Sequence, residues 1–101
     1  MADRVVVTGL GLVTPVGSDQ QTTWESLLEG KSGIDYISLF DASGFESQIA
    51  AEVDDWDAAP ILGRKEARRL DRFSQFACVA ALEALEQAGI DMASEDPDRV
   101  G

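Results

Sequence analysis

The stretch RVVVTGLGLVTPVG, residues 4–17, governs how the rest of the chain is read. Val5, Val6 and Val7 form a β-branched apolar run between Arg4 and Thr8, which predicts a buried strand over 4–8 feeding the glycines of a tight turn. A strand followed by Gly9, Leu10 and Gly11 is also how a dinucleotide-binding fingerprint opens. Thr14 stands where that fingerprint needs its third glycine, and Pro15 delays the next helix. Phosphates at such a turn would miss the helix N-terminus that holds them in dinucleotide sites, so the glycines are read as structural.

Outward from this run, Ser18 with Gln21 three positions later matches a capping box, and Trp24, Leu27 and Leu28 form an apolar stripe ended by Gly30. An amphipathic helix is therefore predicted over 19–29, with Trp24 at a core position. Residues 32–47 are rich in Gly, Ser and Asp with scattered Ile34, Ile37, Leu39, Phe40 and Phe45, and read as an ordered, partly buried loop. A second strand is expected around 48–53. After Pro60 come a basic helix over 64–72 and a longer helix over 72–88, with Asp71 as its cap and Gly89 just past its end. Ala77, Ala80, Ala81, Ala84 and Ala88 mingle there with Phe73, Phe76, Leu82 and Leu85. Small residues let backbones approach closely, so this helix is expected inside a larger assembly, and residues 1–101 alone are expected to bury their core poorly. Arg99, Val100 and Gly101 read as the start of another strand.

A length of 101 residues suits one domain, and 45% hydrophobic content suits a globular core. No apolar run approaches the roughly 20 residues that span a bilayer, and the start lacks a secretory pattern; the chain reads as cytoplasmic. With one cysteine and no histidine, the sequence has no intrachain disulfide, no Cys-His or Ser-His couple and no histidine-ligated metal site. Cys78 lies mid-helix among apolar neighbours and reads as a small core residue. Asp54, Asp55 and Asp57 lack calcium-loop spacing and read as solvated loop, with Trp56 a cover over the core.

The net charge is −11, yet five of the eight basic residues, Arg64, Lys65, Arg68, Arg69 and Arg72, fall in RKEARRLDR. In a helix over 64–72, Arg64, Arg68 and Arg72 share one edge and Lys65 and Arg69 the next. The like-charge pairs four apart each cost about 0.2–0.5 kcal/mol, and Glu66 relieves only Arg69. The stretch carries net +3 against −14 for the remainder, a local field that can steer a charged ligand. Such a cluster is either a solvated face, neutralised by loops such as 54–57, or a docking surface. A pI near 4.1 argues against nucleic acid and favours an acidic protein or a phosphorylated small molecule.

Three fragments, RVVVTGLGLVTPVG at 4–17, TTWESLLEGKSGI at 22–34 and GRKEARRLDRFSQFACVAALEALEQAGID at 63–91, in that order and spacing, closely resemble the opening of the elongating, type II β-ketoacyl-acyl carrier protein synthases. The similarity covers essentially all 101 residues. It implies an α/β chain, the N-terminal portion of a homodimeric thiolase-like αβαβα fold, with 1–101 an incomplete part of the synthase N-terminal domain. It also implies extension of an acyl chain by two carbons in fatty acid biosynthesis. The acyl group moves from the carrier's phosphopantetheine to a cysteine, malonyl-carrier loses carbon dioxide, and the carbanion attacks the thioester. The alternative is a polyketide ketosynthase or a non-catalytic module resembling a chain-length factor.

The family's catalytic cysteine, histidines and lysine match no position here. The resemblance therefore assigns this segment no catalytic residue, metal or resident cofactor, and the segment alone is expected to be inactive. In this family a basic helix docks the acidic recognition helix of acyl carrier protein, and Arg64, Lys65, Arg68 and Arg69 fall on its positions; Arg72 shares the expected face but is left out of that set.

Overall fold

A computed structural model describes residues 2–101. In chain order the elements are α1 (Gln20–Leu28), β1 (Ile34–Tyr36), β2 (Ile49–Ala51), α2 (Ala59–Leu62), α3 (Arg64–Arg69) and α4 (Arg72–Ala88), followed by a 3-10 turn at Pro97–Arg99. The longest of them, α4, spans 17 residues and about 25 Å and acts as the spine. It ends as the sequence predicts. Gly89 adopts a left-handed conformation, φ 67°, ψ 25°, and its N–H reaches the carbonyls of Leu85 and Glu86. Asp71 occupies the N-cap position with extended backbone but makes no side-chain cap bond.

The Gly9–Leu12 backbone lies against α4. A methyl group at Gly9 would strike the carbonyl of Ala84, and one at Gly11 the carbonyl of Ala80. Two extended residues advance about 6.6 Å and four helical residues about 6 Å, so the contacts keep step along an antiparallel track. Two α4 side chains hold the alternate amides. Leu10 N–H donates to Gln87 Oε1 at 2.6 Å and Leu12 N–H to Glu83 Oε1 at 2.8 Å. The same two side chains also fasten α1, because Gln20 N–H donates to the Glu83 carboxylate at 3.2 Å and Gln87 Nε2 to Gln20 Oε1 at 2.6 Å.

The strand expected at 4–8 is not formed. Residues 4–8 join no ladder with other described residues, and Val5 is 96% exposed. A strand is defined by its partner, and among the described residues no neighbouring strand runs beside the valines. The described residues form four helices and one two-stranded antiparallel sheet, which agrees loosely with the α/β class expected, and the layered αβαβα arrangement is not built among them.

Helix α1 also departs from expectation. Its N-cap is Asp19 and not Ser18, and Asp19 Oδ1 accepts from Thr22 N–H at 2.8 Å while Asp19 N–H reaches Thr22 Oγ1 at 3.4 Å. Its inward face is Thr23 and Ser26, whereas Trp24, Leu27 and Leu28 are exposed. The reason is the 14–17 turn beneath it, closed by Thr14 N–H to Gly17 carbonyl at 2.8 Å. That turn offers polar atoms: Ser26 Oγ donates to the Val16 carbonyl at 2.7 Å and Thr23 Oγ1 lies 3.1 Å from Thr14 Oγ1. Hydroxyls satisfy these groups, and an apolar stripe turned inward would have left them unpaired.

Residues 32–47 contain a strand that the sequence reading treats as loop. β1 pairs with β2 in register Ile34↔Ala51, Asp35↔Ala50 and Tyr36↔Ile49. Most of this region is exposed, with Ala42 its one buried side chain. The Glu52 carboxylate, just past β2, accepts from Ser38 N–H, Ser38 Oγ and Leu39 N–H, and these bonds, the Ser38 N–H foremost, hold it below its usual range.

Ala58, Ala67 and Val79 form the core, flanked by Val13, Trp56, Ala59 and Leu62, so Trp56 covers the core as expected. Among the described residues no large side chain is fully buried. The radius of gyration is 17.3 Å, against about 13 Å for a compact 100-residue domain, in line with the expected poor burial. Among the described residues no helix is long and apolar enough to cross a membrane.

Gly11→Ala is expected to cost about 1–3 kcal/mol of stability, read by chemical denaturation, because a rigid backbone carbonyl occupies the space. Asp19→Ala is expected to cost about 1 kcal/mol at neutral pH. The N–H and then the hydroxyl of Thr22 depress the Asp19 carboxyl below its ordinary 3.8, so the cap stabilises above that pH and is lost as pH falls through the depressed value. The wild-type and Asp19→Ala denaturation curves should therefore converge in acid.

Candidate functional site

α3 carries the cationic cluster on a six-residue helix joined to α2 at Gly63, whose φ of 86° and ψ of 151° turn the chain between them. Ala67 is its one buried residue, packed toward Ala58 and Val79. Arg64, Lys65, Arg68 and Arg69 are all exposed. The structure therefore brings the four sequence-assigned residues onto one solvated helix. Glu66 lies 3.3 Å from Arg69 Nη1, the pairing that their spacing predicts, and both side chains are more than half exposed. Such a pair adds only a few tenths of a kcal/mol. Arg64, Lys65 and Arg68 make no ion pair among the described residues. Neutralisation by the 54–57 loop is thus not observed, and Asp57 instead accepts from Ala59 N–H at 2.9 Å ahead of α2.

The basic helix does not run to Arg72. Leu70, at φ −105° and ψ 138°, is extended, and Arg72 begins α4. Its guanidinium leaves the expected face: Nη1 donates to the Trp56 carbonyl at 2.8 Å and Nη2 to the Val53 carbonyl at 3.0 Å. The cation lies 5.0 Å from the Trp56 ring centroid and 5.1 Å from that of Phe76, two rings 5.2 Å apart. A planar guanidinium suits both the forked bonds and the ring faces. Three residues on, Gln75 Nε2 donates to the Ala67 carbonyl at 2.7 Å and the Leu70 carbonyl at 3.3 Å, closing the C-terminal end of α3. Neither contact was legible in the sequence, because each joins elements whose relative placement no local pattern specifies.

The GLGL run is no phosphate cradle, since its glycines serve the approach to α4. Cys78 is a half-buried free thiol in mid-α4. An open cleft of about 510 Å³ lies between residues 14–18 and 52–56; its one basic side chain, Lys31, pairs with Glu29 at 3.1 Å. No cluster of three or more His, Cys, Asp or Glu able to hold a metal occurs among the described residues.

Residues 2–101 match the family model described as Beta-ketoacyl synthase, N-terminal domain. The chain belongs to the β-ketoacyl synthase family. Its relatives include proteins named 3-oxoacyl-[acyl-carrier-protein] synthase 2, at 48% identity from Coxiella burnetii, 43% from Staphylococcus aureus and 42% from Vibrio harveyi. Each match covers 97% of this chain and 24% of the relative, so the chain spans about a quarter of their length. A solved structure titled "The ishigamide ketosynthase/chain length factor" superposes with a TM-score of 0.76 at 30% identity, over 87% of this chain and 22% of that one.

In this chain of the ketoacyl synthase family, Ala67 seats the basic helix on the core. Ala67→Leu is expected to overpack it against Ala58 and Val79 and to cost about 1–3 kcal/mol in urea denaturation, whereas Lys65→Ala, on the exposed face, should shift stability by less than about 0.5 kcal/mol.

Proposed function

We propose that this chain is the N-terminal segment of a 3-oxoacyl-acyl carrier protein synthase in fatty acid biosynthesis, and that α3 docks the carrier. The observation behind the docking assignment is the exposed row of Arg64, Lys65 and Arg68, free of ion pairs among the described residues, on a chain of net charge −11. A cationic patch on an otherwise anionic protein attracts an acidic partner to one place and repels it elsewhere, which sets orientation and association rate more than affinity. Arg69 contributes to the same face and exchanges Glu66 for the partner's carboxylate at little cost, because an exposed ion pair is weak.

In this reading the whole protein is an acyltransferase of the thiolase-like αβαβα architecture, acting as a cytoplasmic homodimer. It condenses an acyl group with malonyl-carrier by decarboxylation, and the phosphopantetheine arrives on the carrier, so no resident cofactor is required. This segment supplies docking and no catalytic group: it has no histidine, and Cys78 sits inside a helix without a partnered base. Identities of 42–48% with the named synthases, against 30% with the ketosynthase/chain length factor structure, favour the fatty-acid synthase over the non-catalytic module.

The test is binding of an acidic acyl carrier protein to the full-length protein, wild type against Arg68→Glu with Arg69→Glu, at low and moderate salt. The double reversal should weaken binding about tenfold or more at low salt, with a smaller difference as salt screens the pair, while turnover of a small thioester substrate is retained. Unchanged carrier affinity would reduce α3 to solvated surface.

A further inference from the structure

α3 has little of its own to hold it in place. Six residues are too few for a helix to persist in water. The pairs Arg64/Arg68 and Lys65/Arg69 repel within it, its N-cap Gly63 offers no side chain, and Ala67 is its one buried residue. What fastens it comes from the first turn of α4. Gln75, partly buried, donates to the Ala67 and Leu70 carbonyls at the helix end. Arg72, three residues earlier, holds the carbonyls of Val53 and Trp56 in the segment leading into α2. Positions three apart on a helix share a face, so one face of α4 grips the α2–α3 unit at both its entry and its exit.

We propose that Arg72 and Gln75 are positioning residues that fix the direction in which α3 presents its cationic face, and that Arg72 acts through its forked hydrogen bonds and ring stacking, not as a further charge for the partner. This rests on the docking reading above. The two roles open to Arg72 differ in what lysine can replace. Lysine keeps the charge but has neither the fork nor the planar surface. A residue that docks by charge tolerates Arg72→Lys; a residue that braces does not. Gln75→Met removes the donor at nearly constant length and leaves the charge unchanged.

The experiment uses the full-length protein with Arg72→Lys, Gln75→Met and the Arg68→Glu, Arg69→Glu double variant. Three quantities are read: amide hydrogen exchange across residues 64–70, affinity for an acidic acyl carrier protein, and turnover of a small thioester substrate. Arg72→Lys and Gln75→Met should each speed exchange in 64–70 and weaken carrier binding about three- to tenfold, with small-substrate turnover unchanged. A general loss of structure would instead lower small-substrate turnover as well, and that result overturns the proposal. Unaltered exchange overturns it too, as does faster exchange with full carrier affinity while the double reversal abolishes binding. If the double reversal itself binds normally, the docking reading fails, and the functional role of the brace fails with it; faster exchange in Arg72→Lys and Gln75→Met would then still separate that failure from an absent brace.

Discussion

The backbone of residues 9–12 lies so close to α4 that no side chain larger than hydrogen fits at Gly9 or Gly11. This approach brings the α4 carbonyls of Ala80 and Ala84 against the 9–12 backbone. Glu83 and Gln87, one turn apart, accept from the amides of Leu12 and Leu10. They then reach Gln20, so α1 is placed by the same two side chains. Small residues permit the contact and polar ones satisfy it, and neither set would suffice alone.

A similar division of labour operates at the other end of α4. Its first turn contributes Arg72 and Gln75, which bind four backbone carbonyls belonging to the 53–56 segment, α3 and Leu70. The cationic helix can thus be short and internally repulsive, since its position is imposed from outside. Concentrating charge there costs the helix stability, and the brace offsets that cost. An unbroken helix through Arg72 would have lengthened the patch but removed the guanidinium from Trp56 and Phe76. The break at Leu70 separates the cations of α3 from a guanidinium that bonds to the 53–56 segment.

Family membership gives these local arrangements a functional setting. The chain spans about a quarter of the named synthases, and many of its large apolar residues, among them Val5, Trp24 and Phe73, are exposed. The contribution proposed for it is recognition of an acidic carrier. Exposed cations favour fast, salt-sensitive encounter, which suits a partner that must arrive, deliver and leave.

The sequence by itself determined the family, the extent of α4, its glycine stop and the identity of the cationic cluster. These are encoded by short-range patterns, in which a helix repeat, a left-handed cap or a charge run is complete within a few turns. Tertiary structure decided what those patterns face. The valines of 5–7 read as a strand but have no ladder partner among the described residues, because pairing is a property of two segments. Trp24, Leu27 and Leu28 read as a core stripe but lie outward, because the polar 14–17 turn selected Thr23 and Ser26 for the inner face. Residues 34–36 became a strand only through 49–51. Arg72 shared the expected cationic face in the sequence but leaves it in the fold, because the carbonyls and rings it contacts come from residues 53–56 and 76, and only the folded chain brings them to one place.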